Sequence, residues 1–101
     1  MSDYYIYDDN GKPVGQVDLF KWVQWLSPEK RKVVHDTLKS GVKVSTVFLG
    51  LDHSFGRGVP LLWETMIFGG EHDQYQERYT SLEDAKKGHA EALIIARSEN
   101  V

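Results

Sequence analysis

The sequence predicts an α+β fold: a four-stranded antiparallel meander sheet, a C-terminal helix packed on one face, and an N-terminal hairpin followed by a short aromatic helix. Three observations predict it. Period-two patterning joined by short turns fills the stretch from Val33 to Tyr79, as half-buried strands require. A capping box at Thr80-Ser81-Leu82-Glu83, with the Thr80 hydroxyl as the expected cap and Glu83 reaching back, precedes apolar residues at helical spacing. The chain has 101 residues, 41% of them apolar and twelve aromatic, which suits one domain over residues 1–101 with one core.

The elements follow in order. Tyr4-Tyr5-Ile6-Tyr7 is rich in β-formers, and Asp9-Asn10-Gly11 supplies turn chemistry before a returning strand over Val14 to Val17. Asp18 is placed to cap a helix from Leu19 to Leu26. Ser27-Pro28 redirects the chain and opens a second helical turn through Lys32. Leu19, Phe20, Trp22, Val23, Trp25 and Leu26 leave the first helix little polar surface. It is therefore expected in the core or, through Trp22 and Trp25, at a subunit interface of a homo-oligomer.

Beyond Val33 the period becomes two. Val34, Asp36 and Leu38 alternate with His35 and Thr37, and Lys39-Ser40-Gly41 reads as a hairpin turn. Val42 to Leu51 is the strongest strand, and the apolar residues on both faces of its outer half predict cover on both sides. Leu61 to Phe68 follows, ended by Gly69-Gly70, then Gln74 to Tyr79. In the last helix Leu82, Ala85, His89, Ala92, Leu93 and Ala96 share a face. Gly88 inside that helix costs about 1 kcal/mol relative to Ala. A close approach of the helix to the sheet is the expected compensation.

Composition narrows function. With no cysteine, disulfides and thiolate metal sites are excluded and a reducing, intracellular compartment is expected. The N-terminus lacks the basic and apolar regions of a signal peptide, and no apolar run approaches membrane-spanning length. A net charge of −3 with scattered bases argues against duplex nucleic acid, whose binding rests on phosphate neutralisation. His35, His53, His72 and His89 show no metal-ligand spacing, so neither metal nor cofactor is expected. His89, on the apolar helix face, reads as a hydrogen-bonded core histidine.

Candidate chemistry gathers between the two best strands. Gly50-Leu51-Asp52-His53-Ser54-Phe55-Gly56-Arg57-Gly58 offers amides, a hydroxyl and a guanidinium to an anion, or is simply a glycine-rich hairpin loop. Asp52, His53 and Ser54 are too close in sequence to align as nucleophile, base and orienter. Glu64 sits in an expected central strand, where a carboxylate is costly unless paired or solvated. Depending on register it meets His53 or Arg57, or instead faces solvent or a structural ion pair. The ligand-facing group is therefore Asp52, His53, Ser54, Arg57 and Glu64.

Val44-Ser45-Thr46-Val47-Phe48-Leu49-Gly50-Leu51-Asp52-His53, Trp63-Glu64-Thr65-Met66-Ile67-Phe68-Gly69-Gly70, and Arg78-Tyr79-Thr80-Ser81 with Glu83, Ala85, Gly88 and His89 carry a resemblance. So does Asp9-Asn10-Gly11-Lys12-Pro13-Val14 before the aromatic helix. Together they resemble a family of small proteins encoded by bacteriophages and prophages. The resemblance implies an accessory protein in the host bacterial cytoplasm, of the kind that counters host defence. The expected function is non-catalytic binding of a host defence protein or sequestration of a small anionic nucleotide-like signal. The alternatives are a small phosphoester hydrolase using His53 and Glu64, and a phage structural or assembly protein.

Overall fold

The computed structural model describes residues 3–16 and 18–98. Nine elements follow in order: β1 (Tyr4–Tyr7), β2 (Pro13–Gln16), α1 (Leu19–Trp25), α2 (Pro28–Arg31), β3 (Lys32–Thr37), β4 (Lys43–Phe48), β5 (Trp63–Phe68), β6 (Gln76–Tyr79) and α3 (Leu82–Arg97). Strands β3-β4-β5-β6 form one antiparallel sheet in sequence order, and β1 and β2 pair as a separate hairpin. The expected α+β meander with a C-terminal helix is the observed fold. Val17, expected in the returning strand, lies outside the described residues.

Alternation decides which side chains meet α3. Val44, Thr46 and Phe48 of β4 and Trp63, Thr65 and Ile67 of β5 are buried beneath it. From the helix, Ala85, Gly88, His89, Ala92 and Ala96 face them. Small residues there let helix and sheet approach closely. At Gly88 a Cβ would collide with the Tyr79 hydroxyl and ring of β6, which is the close approach that offsets the glycine's low helix propensity.

The apolar interior has two parts. Val42, Val44, Ile67, Ala92 and Ala96 pack at one end of the sheet. Phe48, Leu62, Trp63 and Ala85 pack at the other, where Tyr5, Tyr7, Trp25 and Leu26 of the N-terminal unit lean on them. The contact is aromatic edge to face: Tyr7 and Phe48 rings lie 5.1 Å apart at 90°, and Trp25 and Phe48 5.8 Å apart at 80°. The N-terminal unit thus covers an end of the sheet.

Three expectations are corrected. Among the described residues no layer spans the second face of the sheet: Ser45, Val47, Glu64 and Met66 are only half-buried and Phe68 is exposed, because α1 and α2 sit at the sheet's end, where Leu26 and Pro28 border Val47. The first helix is not enclosed, for none of its residues is buried. Only its Trp22 and Trp25 side is packed. The α3 cap is Ser81 rather than Thr80: Ser81 has extended backbone and its hydroxyl accepts the Asp84 amide at 3.0 Å.

Candidate functional site

The connection from β4 to β5 is fastened at its base. Gly50, at φ +76°, rests against the side chains of Trp22 and Leu26, leaving 3.2 Å to an added Cβ. Leu51 bridges to Tyr4, the Tyr5 amide donates to the Gly50 carbonyl at 2.7 Å, and the Asp52 amide donates to the Asp3 carbonyl at 3.0 Å. The loop therefore grows out of the N-terminal hairpin as well as the sheet.

Asp52 holds the loop together from within. One carboxylate oxygen accepts the Ser54 amide at 2.7 Å and the Leu61 amide at 3.1 Å, and the other accepts the Ser54 hydroxyl at 2.9 Å. Burial raises the Asp52 pKa, but hydrogen bonds from the Ser54 hydroxyl and the Ser54, Leu61 and Gly56 amides outweigh it, and the group titrates below its ordinary value. Ser54 is buried by this clamp. The His53 amide donates to the Leu61 carbonyl at 3.0 Å. The His53 ring Nδ1–H donates to the Leu51 carbonyl at 2.9 Å.

Past the clamp the loop turns through left-handed backbone at Phe55 (φ 56°), Gly56 (φ 78°) and Gly58 (φ 90°). This places Phe55 at the tip, 84% exposed, beside exposed Arg57 and Val59. The structure brings Asp52, His53, Ser54 and Arg57 into one loop but commits Asp52 and Ser54 to its architecture.

Glu64 belongs elsewhere. Its cross-strand neighbours are Val47 and Arg78. Its Oε2 accepts Arg78 Nε and Gln76 Nε2, both at 2.9 Å. Register thus pairs Glu64 with β6 on the uncovered sheet face, and His53 and Glu64 have no partner in common.

A second polar constellation spans the core. Asp36 Oδ2 lies 2.7 Å from His89 Nε2, His89 Nδ1 2.7 Å from Thr46 Oγ1, and Thr46 Oγ1 2.5 Å from Thr65 Oγ1. One direction of donation satisfies every hydrogen, from Thr65 to Thr46 to His89 to Asp36. The Tyr79 hydroxyl ends the row: burial raises its pKa, the neighbouring Thr65 hydroxyl opposes that, and no well-formed hydrogen bond closes on it. The order of acid, imidazole and hydroxyl invites comparison with a hydrolase triad. Thr46 is fully buried, however, so no substrate carbonyl can reach its oxygen, and the row fastens α3 to β3, β4 and β5.

Trp22 and Trp25 point inward. Trp22 Nε1 donates to the Tyr5 carbonyl at 3.0 Å and its ring packs on Tyr4, while Trp25 packs on Tyr7 and Phe48. The outer side of α1 carries Leu19, Phe20 and Val23 at 47%, 82% and 56% exposure. Among the described residues, seven of the nine large exposed apolar side chains lie in the N-terminal unit or the β4–β5 connection.

Among the described residues no group of three or more His, Cys, Asp or Glu is placed to hold a metal ion, and no helix is long and apolar enough to cross a membrane. Comparison with family models, curated proteins and solved structures found no match.

Proposed function

We propose that the chain is a non-catalytic protein-binding module whose contact surface is the tip of the β4–β5 loop together with the outer side of α1. The observation that carries this reading is Phe55, held 84% exposed on a loop that Asp52 fastens from inside. An ordered loop that presents an aromatic ring beside Arg57 and Val59 has the anchor composition of protein interfaces. Ordering the loop before contact also removes an entropic cost of binding. The resemblance to small bacteriophage and prophage proteins suggests a host defence protein in the bacterial cytoplasm as the partner. A phosphoester hydrolase is the weaker reading, because Glu64 is engaged by Arg78 and Gln76 on the sheet face.

The test is quantitative capture from bacterial cells by the tagged chain, with cross-linking and mass spectrometry, compared with Phe55→Ser and Phe20→Ser/Val23→Ser. Loss of an interface anchor costs about 2 kcal/mol or more, roughly thirtyfold in affinity. A partner should be retained by the wild-type chain and lost from Phe55→Ser at an unchanged melting temperature. Equal recovery with both variants would sink the reading. Loss of self-association alone, confined to Phe20→Ser/Val23→Ser, would make α1 an interface between copies of this chain instead.

A further inference from the structure

The sheet ends on one side in an open edge. β3 is its outermost strand, and the Leu38 amide donates to the Val42 carbonyl at 2.8 Å. By antiparallel alternation Asp36 and Val34 also turn their amides and carbonyls toward β4, opposite Val44 and Thr46. The bond from the Leu49 amide to the Leu62 carbonyl, 2.7 Å, gives the same phase, because it assigns the odd-numbered residues of β4 to β5. The amides and carbonyls of His35 and Thr37 therefore point away from the sheet. Among the described residues no strand lies beyond to meet them. The bulge between Lys32 and Val34 bends the start of the strand out of this row.

Charge distinguishes this edge. On the sheet face away from α3 two shallow hollows, of about 300 and 290 Å³, share His35. Leu26, Pro28 and Val47 line the first, with Arg31 and Lys32. Thr37, Ser45 and Phe68 line the second, with Lys43. Arg31, Lys32 and Lys43 are exposed and form no ion pair among the described residues. The carboxylate nearest them, Asp36, is held by His89 at 2.7 Å, Glu64 further in is held by Arg78, and Glu29 lines neither hollow. A chain of net charge −3 thus carries three unneutralised cations along one sheet edge. Their field reaches His35, whose pKa is lowered by burial, then by Lys32 and His89.

We propose that the β3 edge accepts an extended acidic segment of another protein as a fifth strand, its backbone bonded to His35 and Thr37 and its acidic side chains beside Arg31, Lys32 and Lys43. The open edge selects polypeptide. A single-stranded nucleic acid would answer the cations but has no row of amides and carbonyls to match His35 and Thr37. A second copy of this chain paired through its own β3 would bring a like-charged strip alongside, which is repulsive. Because side chains alternate along a strand, only every second residue of the segment faces the cations. The residues between lie on the side of Asp36 and must be neutral or apolar. The surface is separate from the Phe55 loop and does not depend on the reading given to that loop.

The experiment follows backbone amide signals of the intact protein by two-dimensional NMR during titration with an end-capped hexapeptide of alternating Glu and Val, its Lys and Val counterpart, or hexauridylate. The acidic peptide should move the His35 and Thr37 amides and slow their hydrogen exchange. Thr37→Pro removes one outward N–H and leaves the ladder to β4 intact, so it should weaken the peptide Kd about fivefold at an unchanged melting temperature. Arg31→Glu/Lys43→Glu should weaken it about tenfold. Should Thr37→Pro fail to fold, amide protection and the charge-reversed variant decide. His35 and Thr37 amides unmoved by millimolar acidic peptide overturn the proposal. So does equal binding of the basic peptide, or a response to hexauridylate alone. A dimer of the free chain in which these two amides are already protected would also overturn it, making the edge an interface between copies.

Discussion

A carboxylate at the mouth of a glycine-rich loop recognises a ligand only with oxygens to spare, and those of Asp52 are spent on Ser54 and Leu61. Its depressed pKa ties loop stability to pH. In acid the unfolded chain takes up the proton before the folded one, so the contribution of Asp52 is complete above the ordinary carboxyl pKa and fades as pH falls through the lower folded value. Asp52→Asn should lower the melting temperature at neutral pH and flatten its dependence on acid, with hydrogen exchange at Ser54 and Leu61 accelerated. If Asp52→Asn melts like the wild type at every pH, the clamp is without consequence. The residue types of this loop were legible in the sequence, as was a hydrogen-bonded core role for His89. What stayed hidden were partners fixed by pairing between distant segments: Glu64 with Arg78, and His89 with Thr46 and Asp36, 43 and 53 residues away. A shift of one residue in register would exchange all of them.

Elements report the same division between local and distant causes. The pattern of α3 is local, and its buried face carries the expected Ala85, His89, Ala92 and Ala96. Its cap was misplaced by one residue because Thr80 and Ser81 both suit that role, and only the backbone turn selects Ser81. The first helix shows the limit of apolar periodicity. Seven residues rich in apolar side chains predict burial, yet α1 is supported on one side alone, by the hairpin and the end of β4 beneath Trp22 and Trp25, and Leu19, Phe20 and Val23 face outward. At Gly88 two effects oppose each other. Alanine would gain about 1 kcal/mol of helix propensity, but its methyl group would meet Tyr79, a half-buried side chain whose hydroxyl is enclosed between sheet and helix. Overpacking of this kind costs about 1–3 kcal/mol. The collision should win, so Gly88→Ala should be less stable than the wild type in urea unfolding, with an unchanged m-value. A stabilised Gly88→Ala would show that α3 can lift from β6 at little cost.

At the scale of the molecule, an unequal distribution of burial implies an unequal distribution of stability. The chain exposes 6764 Å², against about 5,800 Å² for a monomer of its mass, and it extends over 48 × 27 × 21 Å. The elongation follows from placing a two-stranded hairpin at the end of a four-stranded sheet instead of on its open face. Two strands alone are marginal in water, and α1 contributes no buried residue. The N-terminal unit is therefore held mainly by Tyr5, Tyr7, Trp25 and Leu26 on the Phe48 and Trp63 cluster, with the backbone bonds at Gly50 and Asp52. β4 and β5 are held by ladders on both sides and by α3 above. Native-state hydrogen exchange should resolve two openings: β1, β2 and α1 at the lower free energy, and β4, β5 and α3 near the global value. Tyr7→Ala should lower only the first. Phe48→Ala, which empties a fully buried site under both parts, should lower both by about 3–5 kcal/mol. If the β1 amides instead exchange together with those of Val44 and Ile67, the hairpin and sheet unfold as one unit.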